Sequence, residues 1–127
     1  MRVLKNTIVI VAAAGAYFML TQLSIAAEEV AFGKQELQEY LVGKTYPLSK
    51  GAFYFDDSET LSAIWKGQTE TAKWWTTDDS QFCYNLKMFG AEECLGLFKK
   101  GDDELIQIYE GKRRTINLSD IKEGKAF

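Results

Sequence analysis

The sequence has no histidine and only one proline, Pro47. Without imidazole no side chain has an ordinary pKa near neutrality, and the commonest general base and metal ligand are both missing. No serine motif of the nucleophile-elbow type occurs, and no glycine loop of the phosphate-cradling type. Carboxylate pairs of the sort that cleave glycosides occur only in turn-like stretches. Basic residues are also in the minority, with 15 Lys and Arg against 18 Asp and Glu. An acidic balance argues against nucleic acid, whose phosphates demand a basic face. The sequence therefore points to a non-catalytic protein with no cofactor and no nucleic-acid partner.

Long apolar runs are scarce too, apart from one at the start. Arg2 and Lys5 precede the uncharged stretch Thr7 to Leu20, followed by Thr21, Gln22, Ser24, Ala26 and Ala27. A positive start, an apolar middle and a small-residue end are the three parts of a secretory signal peptide, here residues 1–26 with the cut after Ala26. The alternative is a retained anchor, because the chain is uncharged from Asn6 to Ala27, long enough to span a bilayer. In that case the membrane is met through this segment alone. Either way the expected location is periplasmic or secreted. Export implies an oxidising compartment, so the two cysteines, Cys83 and Cys94, read as a disulfide. A metal pair or redox pair is the alternative; the absence of histidine and the wide spacing count against both.

Residues 27–43 form the one helical segment. Leu37, Tyr40 and Leu41 fall at i, i+3 and i+4, polar residues take the other face, and Gly43 ends the run. From Lys44 the hydrophobic period drops to two. Residues 44–127 read as an all-β antiparallel meander of seven or eight strands, near Thr45–Leu48, Ala52–Phe55, Thr60–Trp65, Thr69–Thr76, Gln81–Leu86, Glu93–Phe98, Glu104–Tyr109 and Arg114–Leu118, closing into a small barrel or a sandwich. Alternation sends Phe53, Phe55, Leu61, Ala63, Trp65, Ala72, Trp74, Phe82, Tyr84, Leu86, Leu95, Leu97, Ile106, Ile108, Ile116 and Leu118 inward. Trp75, Cys83 and Cys94 then face outward, and pairing Leu86 with Ala91 sets Cys83 opposite Cys94.

Three acidic turns, at Asp56-Asp57, Asp78-Asp79 and Asp102-Asp103, precede strands at similar intervals. In a meander they share one end of the domain, while the intervening turns, rich in lysine and arginine, share the other. The six aspartates are candidates for a hard cation such as calcium. Against this, aspartate and serine are good turn formers in their own right, so no metal is assigned. Ligand or partner contact falls to the aromatic residues Tyr54, Trp65, Trp74, Trp75, Tyr84 and Tyr109, with the basic cluster Lys112, Arg113 and Arg114.

Several short motifs follow one another in a familiar order: Leu41-Val42-Gly43-Lys44-Thr45, Ala52-Phe53-Tyr54-Phe55, Ile64-Trp65-Lys66-Gly67, Lys73-Trp74-Trp75, Phe82-Cys83-Tyr84 and Cys94. Over Leu41 to Gly111 the chain resembles small exported bacterial proteins grouped as domain-of-unknown-function family 995, which are lipocalin-like in outline. The resemblance implies an exported β-domain without known catalytic residues, so it carries over no site. Gly43-Lys44-Thr45 is no phosphate loop, because the glycines that should precede it are missing. The sequence thus leads to an exported, non-catalytic small β-barrel that binds a small ligand or an envelope partner. The alternative is an accessory or inhibitory subunit that docks on a periplasmic enzyme through an aromatic and charged surface.

Overall fold

The change of hydrophobic period at Lys44 marks a change from helix to sheet. The computed structural model describes residues 28–127, and the proposed signal peptide lies outside them. In order, the elements are β1 (Glu29–Ala31), α1 (Lys34–Leu41), β2 (Lys44–Leu48), β3 (Gly51–Phe55), β4 (Thr60–Trp65), β5 (Gln68–Thr76), β6 (Gln81–Asn85), β7 (Glu92–Lys100), β8 (Glu104–Tyr109), β9 (Lys112–Asn117) and β10 (Lys122–Glu123).

The helix is shorter than expected. Glu29–Ala31 is a strand, paired antiparallel with Phe98–Lys100 of β7. Phe32 follows it into the core, and its N–H donates to Ser80 Oγ at 2.8 Å. Gly33 then starts α1, its N–H donating to Glu36 Oε1 at 3.0 Å, so the third helical residue reaches back over the helix start. Leu37 and Leu41 are fully buried, as their spacing requires. Gly43, at φ 82°, turns the chain into β2.

All ten strands belong to one antiparallel sheet in the order β10-β2-β3-β4-β5-β6-β7-β8-β9, with β1 continuing the edge of β7 where β6 leaves it. The sheet curls into a barrel-like shell, so the fold is all-β and barrel-like rather than a sandwich. The two strands beyond the expected count, β1 and β10, are three and two residues long. Such segments are too short to display an alternation. Leu118, expected at the end of β9, instead begins a short 3-10 turn.

Ring-on-ring packing fills the shell. Phe53 meets Tyr84 at 4.8 Å between centroids, Phe55 meets Trp74 at 4.5 Å, and Phe82 meets Phe55 and Tyr46 at 5.4 and 5.5 Å, all edge-to-face. Gly51 lets β3 press against β4: a Cβ there would stand 1.8 Å from the Ile64 carbonyl oxygen.

One face assignment is corrected. Leu97 is fully buried in the core and pairs with Gln107, so β8 turns Leu105, Gln107 and Tyr109 inward. Ile106 and Ile108 lie on the other face, alongside Phe98 and Gly96; Ile106 is buried there at 3 % exposure and Ile108 is half-buried. The isoleucines suggested the opposite phase because a glutamine at a core position breaks the apolar alternation.

Hairpins alternate between two ends. Residues 56–59, 77–80 and 101–103 turn at the end that α1 covers. There Gln38 Nε2 donates to Ser58 O at 3.3 Å, and Thr76 Oγ1 donates to Lys34 O at 2.8 Å. Among the described residues no α-helix covers the opposite end, with its turns at residues 49–50, 66–67, 86–91 and 110–111.

Cys83 and Cys94 face each other across β6 and β7 and are bonded, with S–S 2.06 Å and a separation of 11 residues. Cross-linking a loop of that length stabilises the fold by about 3 kcal/mol on the chain-entropy account. Reduction, or the pair Cys83→Ala and Cys94→Ala, should therefore lower the melting temperature by roughly 10–20 °C. Calorimetry of both forms checks this, and unchanged melting would contradict it.

Candidate functional site

At the uncovered end the inner rows of β3, β4 and β6–β9 stop short of filling the shell. They leave a cavity of about 330 Å³ lined by Leu48, Ser49, Phe53, Trp65, Tyr84, Phe89, Glu93, Leu95, Gln107, Tyr109 and Arg114. Its apolar wall is a cluster of rings. Phe89, in the short 3-10 turn between β6 and β7, packs edge-on to Trp65 at 5.6 Å and lies 6.0 Å from Tyr84. Glu70 fixes that turn: its carboxylate accepts the N–H groups of Lys87 and Met88 at 2.7 and 2.9 Å.

The polar wall comes from three neighbouring strands. On β7 Glu93 pairs with Tyr84 and points inward, as Leu95 does two residues deeper. Tyr84 donates to Glu93 Oε1 at 3.1 Å and Tyr109 to Glu93 Oε2 at 2.7 Å, so each carboxylate oxygen holds one phenol. Burial above all, then the Glu93 charge, pushes the Tyr84 phenol up. The hydrogen bond to Glu93, followed by desolvation, pushes Tyr109 up to about 12. Deeper in, Tyr46 of β2 donates to Gln107 Oε1 of β8 at 2.7 Å, and burial drives the Tyr46 phenol far above its ordinary value. Arg114 pairs with Gln107 in register and so points inward, half-buried; its only hydrogen bond among the described residues is a long one, Nη2 to Pro47 O at 3.4 Å.

These placements divide the residues singled out from sequence. Trp65, Tyr84, Tyr109 and Arg114 come together at the cavity. Trp74 belongs to the opposite end, buried at 2 % exposure with its ring N–H donating to Asp57 O at 2.8 Å. Tyr54 and Trp75 lie on the outer face, and Trp75 is the cross-strand neighbour of Cys83. Lys112 is exposed at the rim, and Arg113 pairs with Glu29 of β1.

The acidic turns behave as turns. Asp57 Oδ1 accepts the N–H groups of Glu59 and Thr60, both at 2.8 Å, which holds its carboxyl below the usual range. Asp56 accepts the Ser62 hydroxyl at 2.8 Å. Among the described residues no three acidic side chains converge on a point, so Asp78, Asp79, Asp102 and Asp103 join neither Asp56 nor Asp57 in a cation site.

Sequence reasoning missed Glu93, Gln107 and Phe89 as site residues. Glu93 was within reach, because inward Leu95 and Leu97 put Glu93 on the same face. Gln107 was hidden by the reversed phase of β8, and Phe89 sits in a turn where alternation says nothing.

No protein-family model, curated protein or solved structure matches this chain.

Because the fold holds Tyr109 as a neutral phenol, its contribution to stability is fully present below the ordinary phenol pKa near 10. It is lost as pH climbs through about 12. Denaturation measured across pH 9–12.5 should show stability falling in this window, with a shallower fall in Tyr109→Phe. Equal slopes in the two proteins would contradict the assigned bond.

Proposed function

We propose that the protein is an exported, non-catalytic binding module that holds a small ligand in the open end of its curled sheet. The cavity carries this reading. Its volume of about 330 Å³ is at the low end of the range for small-molecule sites, and its wall combines a ring cluster with a few convergent polar groups. Export is supported by the leader-like residues 1–26 and by a bonded cysteine pair, which persists in oxidising compartments. Among the described residues no helix is long and apolar enough to cross a membrane. The likeness to the exported lipocalin-like family rests on the sequence motifs between Leu41 and Gly111 and points the same way.

A second reading, docking on an envelope enzyme as an accessory or inhibitory subunit, has one observation in its favour. The outer face of β5–β8 carries Trp75 at 36 % exposure beside the disulfide, with Phe98 and Ile108 partly exposed nearby. A contact surface of that make-up is typical of aromatic anchors at interfaces.

Native mass spectrometry of protein recovered from the envelope separates the two. The binding-module reading expects a polypeptide that begins at Ala27 and carries a small-molecule adduct. Ser49→Trp, an exposed substitution at the rim, should remove the adduct without lowering the melting temperature. An adduct-free protein that co-purifies with an envelope protein only while Trp75 is intact would overturn it in favour of docking.

A further inference from the structure

We propose that the ligand is a small aromatic carboxylate, bound with its carboxylate on Arg114 and its ring system between Trp65, Phe89 and Phe53. This rests on the cavity being the ligand site and names the chemistry it selects.

The two charged side chains in the wall differ in how far their hydrogen-bonding capacity is met. Glu93 has a phenol on each oxygen, at 3.1 and 2.7 Å. Arg114 has five N–H donors in a planar fork, yet among the described residues its side chain makes one bond, the 3.4 Å contact with Pro47 O. The ion pairs among the described residues are Lys44–Glu123, Lys99–Glu36 and Arg113–Glu29, so no carboxylate of these residues lies within ion-pair distance of Arg114. A half-buried guanidinium lining a cavity whose facing wall is built of rings, with most of its donors unmet by the described residues, favours a planar anion, which it engages with two parallel bonds.

The body of the ligand follows from the opposite wall. Trp65 and Phe89 meet edge-to-face at 5.6 Å, and Phe89 lies 6.5 Å from Phe53, so the rings offer both edges and faces to a flat guest. The cavity volume suits one or two fused rings rather than a larger cofactor. Around the opening Lys50, Lys66, Lys87 and Lys112 are exposed. Glu92 and Glu110 share that rim, so it draws anions inward only modestly, and selection falls to Arg114.

Three probes with one ring system test this by calorimetry at pH 7: 2-naphthoate, 2-naphthylmethanol and 2-naphthylmethylamine. The expected result is preferential binding of 2-naphthoate. Arg114→Gln should weaken 2-naphthoate about 10- to 100-fold, the size of a lost charge-assisted bond, and leave the alcohol unchanged. Arg114→Lys, which keeps the charge but not the fork, should fall between. The comparison of probes on the unaltered protein needs no variant and stands even if a substitution perturbs folding. Equal binding of carboxylate and alcohol, or preference for the amine, would overturn the anion assignment while leaving a ligand cavity. Binding of none of the three would overturn the aromatic assignment and count against the cavity reading as well.

Discussion

A buried hydrogen bond across an unpaired gap holds this sheet in its curl. The order of strands begins at β10 and β2 and ends at β9, and among the described residues no backbone ladder joins the two ends. Tyr46 spans the gap instead. From β2 its ring packs on Phe82 in the core, and its hydroxyl donates to Gln107 on β8 at 2.7 Å. Both residues are buried, so either one left alone would face the full penalty of an unsatisfied polar group. Arg114, next to Gln107 on β9, touches the Pro47 carbonyl one residue beyond Tyr46. The wall of the cavity is therefore also the closure of the sheet, and the cavity depends on the gap staying bridged.

The two ends of the shell are built differently, and that asymmetry places the site. At one end α1 and Phe32 cover the core, Ser80 ties Phe32 to β7 through the Leu97 carbonyl, and Trp74 is locked onto the Asp57 turn. At the other end the inward positions are occupied by tyrosine, glutamate, glutamine and arginine, which cannot pack as densely as the Phe and Leu layers below without orphaning their polar atoms. Space is left where polar side chains replace apolar ones. The short segment from Lys87 to Phe89, held by Glu70, adds the Phe89 ring to the lining.

Much of the sheet was legible because alternation is strong from Phe53 to Leu97. Phe53, Phe55, Leu61, Phe82, Tyr84, Leu95 and Leu97 are all buried where period two places them, and the same alternation sets Cys83 opposite Cys94. The reading went astray where side-chain chemistry opposed position. Gln107 is a core residue because Tyr46, far away in sequence, meets it; no local pattern announces that. Leu105 escapes the pattern with it, Tyr109 stands out only as one ring among the aromatic candidates, and Ile106, though buried at 3 % exposure, lies with Ile108 on the face opposite Leu97. Arg114 is grouped in sequence with Lys112 and Arg113 as one basic contact cluster, although an inward Ile116 two residues later implies that Arg114 alone of the three points inward. Polar residues at inward positions were thus the clue to the site, and they are the residues a hydrophobic pattern discards. The strands β1 and β10 left no sequence trace because tertiary pairing alone makes them.

The Tyr46–Gln107 bridge is open to direct measurement. A double-mutant cycle of Tyr46→Phe and Gln107→Leu, followed by denaturant unfolding, isolates it. Each single change leaves one buried polar group unpaired and should cost about 1–3 kcal/mol. The double change removes both groups and should cost clearly less than the sum, with a coupling of about 1 kcal/mol or more. Strictly additive losses would show that the gap is held by something else.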